Sequence, residues 1–142
     1  MNSSALRPFH LAIPVTCLKE AEAFYGGLLG CEKGRQSDHW IDWDFFGHQL
    51  VTHLVANMPN QPEPNDVDNK AVPVPHFGVV LSMSDWQALS ERLQANHTNF
   101  IIDPYVRFAG QPGEQATLFF LDPSGNALEF KAFKDLEQLF AK

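Results

Sequence analysis

Two histidines and one glutamate stand in apolar surroundings, where their side chains are suited to binding a metal ion. His10 and His76 each open an apolar segment, and Glu129 lies between two large apolar residues. An unpaired carboxylate is costly in such a place, and a bound cation explains why it is tolerated. Two neutral imidazoles and one carboxylate form a set that holds a divalent metal and leaves coordination positions open for substrate. We therefore predict a metal site at His10, His76 and Glu129.

The elements that must position these residues follow the same order in both halves of the chain. Hydrophobic periodicity predicts in each half a strand, a helix and a further run of strands, and each half opens with one of the two histidines. First strands related by such a duplication would direct both histidines at one point. Strand alternation puts Glu129 on the opposite sheet face from its apolar neighbours. The chain is therefore interpreted as an internal duplication.

The boundaries between these parts follow from changes in composition. A proline-rich stretch at 57–75 disfavours helix and interior strand, and we expect it to be a linker. The first module then covers 6–56 and the second covers 76–134, followed by a short amphipathic C-terminal helix at 135–142. All of 1–142 is expected to form a single domain, because its apolar content suffices for one core.

Local signals predict where several elements begin and end. The first helix is expected to stop before Gly30, and a hairpin is expected to turn at Gly47. Ser84 and Gln87 have the spacing of a capping box at the start of the second helix. The segment 122–126 predicts a turn between the last two strands.

The other four histidines have less distinctive positions. His53 lies near the end of the first half, where it loosely corresponds to Glu129, and His48 competes with it for that place. The two are five residues apart, so an uninterrupted strand puts them on opposite faces, and we favour His53. His39 and His97 lie in polar contexts and are expected to be solvated surface residues.

Composition argues against several classes of function. A formal net charge of −7 does not suit binding to nucleic acids or anionic membranes, which need basic surfaces. The apolar runs are far shorter than the roughly 20 residues that span a membrane, and the first residues lack the pattern of a secretory signal. Cys17 and Cys31 lie outside any CxxC pair, so we expect two reduced packing residues in a cytoplasmic protein.

Four segments carry a resemblance to a known family. Two of them, 8–15 and 75–81, contain the histidines that open the halves, 23–30 lies in the first helix, and 119–130 leads to the predicted carboxylate ligand. Together they resemble the vicinal oxygen chelate superfamily, which includes glyoxalase I, type I extradiol dioxygenases and the fosfomycin and bleomycin resistance proteins. The stretch 44–51 is most similar to a predicted extradiol-dioxygenase-type group.

The resemblance implies an α+β fold in which two βαβββ modules of one chain form an incomplete barrel around a metal held by His10, His76 and Glu129. It implies an enzyme, an extradiol-type ring-cleaving dioxygenase, that binds a small-molecule substrate through vicinal oxygens at Fe(II) or Mn(II). No nucleic-acid or membrane partner is expected, and a homodimer is common in similar proteins.

One position departs from the pattern of extradiol enzymes. These usually have a tyrosine about ten residues before the metal-binding glutamate, and this chain has Phe119 there. Tyr105, Arg107, His48 and His53 are the candidates for the missing acid-base role. Arg107 and the glycine-containing residues after it also indicate a mobile loop that presents a cation to an anionic substrate group.

Two other functions within the superfamily are alternatives. A glyoxalase I-like lactoylglutathione lyase would use Zn(II) or Ni(II) and normally has a second glutamate, whereas the matching place here is Thr52-His53-Leu54. A ligand-sequestering protein like the bleomycin resistance proteins would hold a molecule without metal. The intact set of two histidines and one glutamate argues against that second alternative.

Overall fold

The structure, a computed structural model, describes residues 6–67 and 70–142. The chain divides into two compact units, Met1–Met58 and Pro59–Lys142. Each unit combines a sheet with helical segments, so the predicted α+β class is confirmed.

The first unit has the order strand, helix and three strands. Strand β1 (His10–Val15) precedes helix α1 (Leu18–Ala21), which continues as a π-helical segment (Glu22–Leu28), and then come β2 (Glu32–Gln36), β3 (Trp40–Phe45) and β4 (His48–Leu54). The strand order in the sheet is β1-β4-β3-β2, and β1 runs parallel to β4. Gly30 ends the helical stretch with a φ of 75°, a left-handed conformation that glycine adopts without strain.

Aromatic side chains fill the core of the first unit. Tyr25 is fully buried and contacts Trp43 and Phe45 of β3, with ring centroids 6.2 and 6.5 Å away. Trp43 Nε1 donates a hydrogen bond to Thr52 Oγ1 on β4 at 3.2 Å. The β3–β4 hairpin, which turns at Gly47 as predicted, therefore supplies this core.

The second unit begins with a two-stranded hairpin and then follows the same order. Its elements are β5 (Asn65–Val67), β6 (Lys70–Val72), β7 (His76–Phe77), β8 (Val80–Leu81), α2 (Met83–Ala95), β9 (Phe100–Arg107), β10 (Gln115–Leu121), β11 (Ala127–Phe133) and a 3-10 turn (Leu136–Phe140). The main sheet has the order β7-β11-β10-β9, and β8 also pairs with β11. The predicted first strand of this half is therefore broken into two pieces, both parallel to β11.

Helix α2 covers one face of the main sheet. Trp86 and Leu93 of α2 are buried, and Trp86 Nε1 donates to the carbonyl oxygen of Phe130 on β11 at 3.0 Å. The Phe130 ring stacks on that of Phe120, with centroids 6.0 Å apart. Because side chains alternate along a strand, Glu129 points to the opposite face from Phe130.

A tight turn sets the pairing of β10 with β11. The carboxylate of Asp122, which is 4% exposed, accepts from the main-chain N–H groups of Ser124 and Asn126, each at 2.9 Å. Gly125 has a φ of 96°. The turn predicted at 122–126 is present, and it places Phe119 directly opposite Glu129.

The stretch predicted as a linker at 57–75 contains regular structure. Strands β5 and β6 pair within it, and Val72 of β6 packs against Ile102 and Phe119 of the main sheet. Proline excludes interior strands, but a two-stranded hairpin consists only of edges, and no proline falls within either strand.

The helix cap and the C-terminal element also differ from their predictions. Ser82, not the pair Ser84 and Gln87, caps α2, and its hydroxyl accepts from the Asp85 amide at 3.1 Å. The predicted C-terminal helix at 135–142 is a single 3-10 turn without buried residues. Among the helical segments of residues 6–67 and 70–142, none has the length and apolar character needed to cross a bilayer.

Candidate metal centre

Strands β7 and β11 bring His76 and Glu129 into contact. His76 is the parallel-strand partner of Ala127, two residues before Glu129. Nε2 of His76 lies 3.3 Å from Oε1 of Glu129, and the two side chains are 29% and 15% exposed. Two of the three predicted ligands therefore adjoin within the second unit.

A hydrogen bond to one ring nitrogen of His76 determines which nitrogen can bind a metal ion. Nδ1 lies 2.6 Å from the carbonyl oxygen of Pro73. A carbonyl oxygen only accepts, so Nδ1 carries the proton and donates it. The imidazole also lies edge to face with Phe119, with centroids 4.9 Å apart. Nε2 is therefore the ring nitrogen that faces the carboxylate oxygen, and in a neutral imidazole it would carry the lone pair.

The contact between His76 and Glu129 fits a divalent ion. Two acceptors that face each other repel unless a positive species, a proton or a metal ion, lies between them. Two ligand atoms at roughly 2.1 Å from one metal lie about 3 to 3.5 Å from each other. The observed separation of 3.3 Å falls within that range, and a neutral imidazole with a carboxylate suits a divalent transition metal.

Thr117 forms a hydrogen bond with the second oxygen of the Glu129 carboxylate. Its Oγ1 donates to Oε2 at 2.5 Å from the neighbouring strand β10. Sequence reasoning missed this residue, although the turn at 122–126 carries the signal. That turn fixes which residues of β10 and β11 are opposite each other, and Thr117 follows as the diagonal neighbour of Glu129.

His10, the third predicted ligand, lies in the first unit. It is exposed, and its Nδ1 is 2.8 Å from Oε1 of Gln49, its partner residue on β4. An amide oxygen accepts, so Nδ1 of His10 donates this bond and Nε2 is not engaged in it. Within either unit, the described residues contain no group of three or more His, Cys, Asp or Glu that could hold a metal ion.

The structure separates the two histidines that compete on β4. His53 is the partner of Pro14 on β1, which puts it on the same sheet face as His10 but roughly 13 Å farther along the strand. His48 points to the opposite face, and its Nδ1 accepts from the main-chain N–H of Phe9 at 2.9 Å. His53 is therefore on the His10 face without contact to His10.

Both of the remaining histidines are on the surface. His39 and His97 are exposed, as predicted. His97 also has a positive φ of 58°, next to the end of α2.

Tyr105 and Arg107 lie on the same face of the main sheet as Glu129. They are the partners of Thr117 and Gln115 on β10, and we call this surface the Glu129 face. The Lys70 ammonium lies 5.0 Å from the centre of the Tyr105 ring. Arg107 was expected in a mobile loop, but it is the last residue of β9, because the cross-strand pairing with Gln115 extends that far.

Both cysteines are free and lie in the first unit, partly buried, as expected for packing residues. Burial, together with the negative charge of Asp44, raises the pKa of the Cys31 thiol to about 11. Its thiolate form is therefore disfavoured at neutral pH.

Comparison with known proteins decides the family. A family model described as the Glyoxalase/Bleomycin resistance protein/Dioxygenase superfamily matches residues 7–130. The chain belongs to this superfamily. A glyoxalase/bleomycin resistance protein/dioxygenase from Alicyclobacillus acidocaldarius, known from its crystal structure, is 35% identical with a TM-score of 0.74, over 94% of this chain and 96% of that one. The predicted vicinal oxygen chelate resemblance is confirmed.

More distant members of the superfamily share the fold. The fosfomycin resistance protein FosX from Listeria monocytogenes is 16% identical with a TM-score of 0.68, over 95% of this chain and 97% of that one. A lactoylglutathione lyase from Agrobacterium tumefaciens is 17% identical with a TM-score of 0.63, over the whole of both chains. At this identity the likeness concerns the fold alone. No curated protein matches this chain.

Proposed function

We propose that the chain is a metal-dependent, extradiol-type ring-cleaving dioxygenase in which His10, His76 and Glu129 hold Fe(II) or Mn(II). The observation that carries the proposal is the 3.3 Å contact between Nε2 of His76 and Oε1 of Glu129, two atoms that can both bind a metal ion. When bound, the ion would neutralise the vicinal oxygens of a diol substrate and bring that substrate together with dioxygen.

The His10 face of β4 favours ring cleavage over a glyoxalase I-like reaction. A lactoylglutathione lyase would move a proton between carbons with a glutamate, and it normally has a second glutamate. The residues of β4 on the His10 face are Gln49, Val51 and His53. None of them is a carboxylate, so a histidine would have to replace the second glutamate.

Proton transfer to and from the substrate requires a group other than Phe119, which has no hydroxyl. Tyr105 is on the Glu129 face, opposite Thr117, and its phenol can both donate and accept a proton. We assign the acid-base role to Tyr105 and keep His53, on the His10 face, as the second candidate. Arg107 is assigned to binding an anionic substrate group.

Metal binding tests the site before any substrate is known. Protein purified without chelator, analysed for metal and then titrated anaerobically with Fe(II) or Mn(II), should bind a divalent ion. Replacing a ligand should weaken that binding by roughly 100-fold or more, so Glu129→Gln and His76→Ala should lose it. Substitutions of the exposed histidines, His39→Gln and His97→Asn, are matched controls and should bind as the unmodified protein does.

Turnover then separates the alternatives. Oxygen uptake with catechols, accompanied by the colour of a ring-cleavage product, supports the dioxygenase. Oxygen-independent turnover of a methylglyoxal and glutathione mixture would instead identify a lactoylglutathione lyase. Tight binding of a ligand with neither metal nor turnover would identify a sequestering protein and overturn the proposed activity.

The role assigned to Arg107 has its own test. Arg107→Ala should weaken binding of carboxylated ligands by roughly tenfold and leave neutral ligands of the same shape unaffected. Binding can be measured by calorimetry with 3,4-dihydroxybenzoate and catechol, which differ in one carboxylate. Equal losses for both ligands would exclude the anion-binding role.

A further inference from the structure

The two oxygens of the Glu129 carboxylate have different partners. Oε1 faces Nε2 of His76 at 3.3 Å, and Oε2 accepts the Thr117 hydroxyl at 2.5 Å. Thr117 is 6% exposed, so water does not compete freely for this bond. A carboxylate only accepts, so the direction of the Thr117 bond is fixed.

The strand register explains why the hydroxyl reaches this oxygen. Phe119 stands directly opposite Glu129, and Thr117 stands opposite Lys131, so Thr117 is the diagonal neighbour of the glutamate on the Glu129 face. Diagonal neighbours on paired strands lie within reach of a long side chain such as glutamate. The bond therefore ties the end of the Glu129 side chain to the adjacent strand.

We infer that Thr117 is a positioning residue that holds Glu129 as a one-oxygen ligand. This inference rests on the proposed function. A carboxylate that binds a metal through both oxygens occupies two coordination positions, whereas one whose second oxygen is held by a hydroxyl occupies one. The position kept free is available to a substrate that binds through two neighbouring oxygens.

A purely structural threonine would behave differently, and the first unit contains one for comparison. Thr52 is also buried in a central strand, where it accepts from Trp43 Nε1 at 3.2 Å and donates to the Ile41 carbonyl at 3.3 Å. It contacts neither His10 nor Gln49 in these bonds. Thr52→Val is therefore a matched control, since it removes the same hydroxyl from the same kind of position.

The experiment measures equilibrium binding of Mn(II) by the electron paramagnetic resonance signal of the free ion. Thr117→Val keeps the side-chain shape and removes the hydroxyl, and it should weaken Mn(II) binding by roughly 10-fold to 100-fold. Thr117→Ser restores the donor and should bind within about threefold of the unmodified protein. Thr52→Val should lower the melting temperature and leave Mn(II) affinity unchanged.

A spectroscopic readout tests the one-oxygen coordination itself. Co(II) bound to Thr117→Val should show a changed visible absorption, because the freed oxygen can then coordinate as well. Co(II) bound to Thr117→Ser should keep the absorption of the unmodified protein. Thr117→Ala provides the same comparison with Thr117→Ser if the valine variant does not fold.

The outcomes distinguish this inference from the proposed function. Unchanged Mn(II) affinity and Co(II) absorption without the hydroxyl overturn the inference and leave the metal site standing. A serine variant as weak as the valine variant also overturns it, because the hydroxyl is then not the group that matters. Absence of metal binding by the unmodified protein overturns the proposed function and this inference together.

Discussion

The two units place a histidine at the start of their first strand in different ways. In the first unit, β1 is continuous over six residues, and His10 is exposed with Nδ1 bonded to the side chain of Gln49. In the second unit, the strand is broken, and His76 is partly buried with Nδ1 bonded to the main-chain carbonyl of Pro73. The same order of elements therefore produces one histidine held by a side chain and one held by the backbone.

Gly78 shows how the second unit achieves the closer contact. It lies in the break between β7 and β8, where a Cβ would be 1.6 Å from the main-chain oxygen of Glu129. Only glycine allows two backbones to approach so closely. The comparison shows that a glycine in a broken first strand allows β7, which carries His76, to lie very close to β11, which carries Glu129.

Substitution of this glycine should have the largest effect. Gly78→Ala must displace β11 at Glu129 or separate the strands, so the free energy of unfolding should fall by about 3 kcal/mol. Mn(II) affinity should fall with it, because His76 and Glu129 lie on the two displaced segments. Urea denaturation and Mn(II) titration measure the two effects.

The first unit provides the control for this substitution. An added Cβ at Gly27 has nothing within 4 Å, and the residue is helical, so Gly27→Ala should stabilise by about 0.5 to 1 kcal/mol. A Gly78→Ala protein as stable as the unmodified one would contradict the close approach of β7 to β11.

Both cysteines lie in the first unit, so their reactivity reports on the folding of that unit. The pKa of about 11 leaves the Cys31 thiol largely protonated at pH 8, so Cys17→Ser protein should react with iodoacetamide roughly 100-fold more slowly than an unfolded chain. The unfolded thiol loses its proton at lower pH than the folded one. Stability from this group should therefore be present below pH 9 and decline as the pH rises toward 11.

Alkylation in increasing urea then compares the units directly. Protection of Cys31 reports unfolding of the first unit, and the fluorescence of Trp86 follows the second unit in a variant without the other tryptophans. Rapid alkylation of the folded Cys17→Ser protein at pH 8 would contradict the burial of Cys31, and Cys31→Ser protein serves as the labelling control.

Substitutions at Gln49 and Pro73 test whether His10 is oriented by a side chain and His76 by a main-chain carbonyl. Gln49→Leu takes away the acceptor that orients His10 and should weaken Mn(II) binding by about tenfold, with stability changed by less than about 0.5 kcal/mol at this exposed position. Pro73→Ala keeps the carbonyl that anchors His76 and should leave Mn(II) affinity within about twofold. Equal losses in both variants would contradict the distinction between the two anchors.

The smallest effect is expected at the C-terminal turn of the second unit. Phe140 is 86% exposed, so Phe140→Ser should change the free energy of unfolding by less than about 0.5 kcal/mol. A clear loss of stability in the thermal melt would show that this ring is covered in solution, for instance in a dimer.

Sequence reasoning could predict the placement of residues where it follows from periodicity. Glu129 alternates with two buried apolar residues, and His10 and His76 open the first strands of the two halves, so their selection as candidate ligands needed only the order of elements. Strand β2 could not be predicted from its own residues, because all five of them are exposed and show no apolar alternation. Pairing with β3, a tertiary interaction, makes it a strand.

The residues that contact the proposed ligands were harder to find from the sequence than the proposed ligands themselves. Gln49 and Pro73 each orient a histidine through one oxygen atom. Neither residue type indicates such a role in the sequence. Gly78 is required by the close approach of the main chain at Glu129, a tertiary contact that has no signal in the local sequence. Thr117 is easier to predict than these residues but harder than the candidate ligands. Its place opposite Lys131 follows from the length of the turn between β10 and β11.

The Asp122 turn has a consequence for insertions and deletions. Side chains on β11 alternate between faces, so one residue added to or removed from 122–126 would shift the pairing by one step. The glutamate would then point toward the underside of α2, among rings such as Phe120, and the aromatic residue after it would take its place. The length of this five-residue turn therefore determines whether Glu129 faces the proposed metal site.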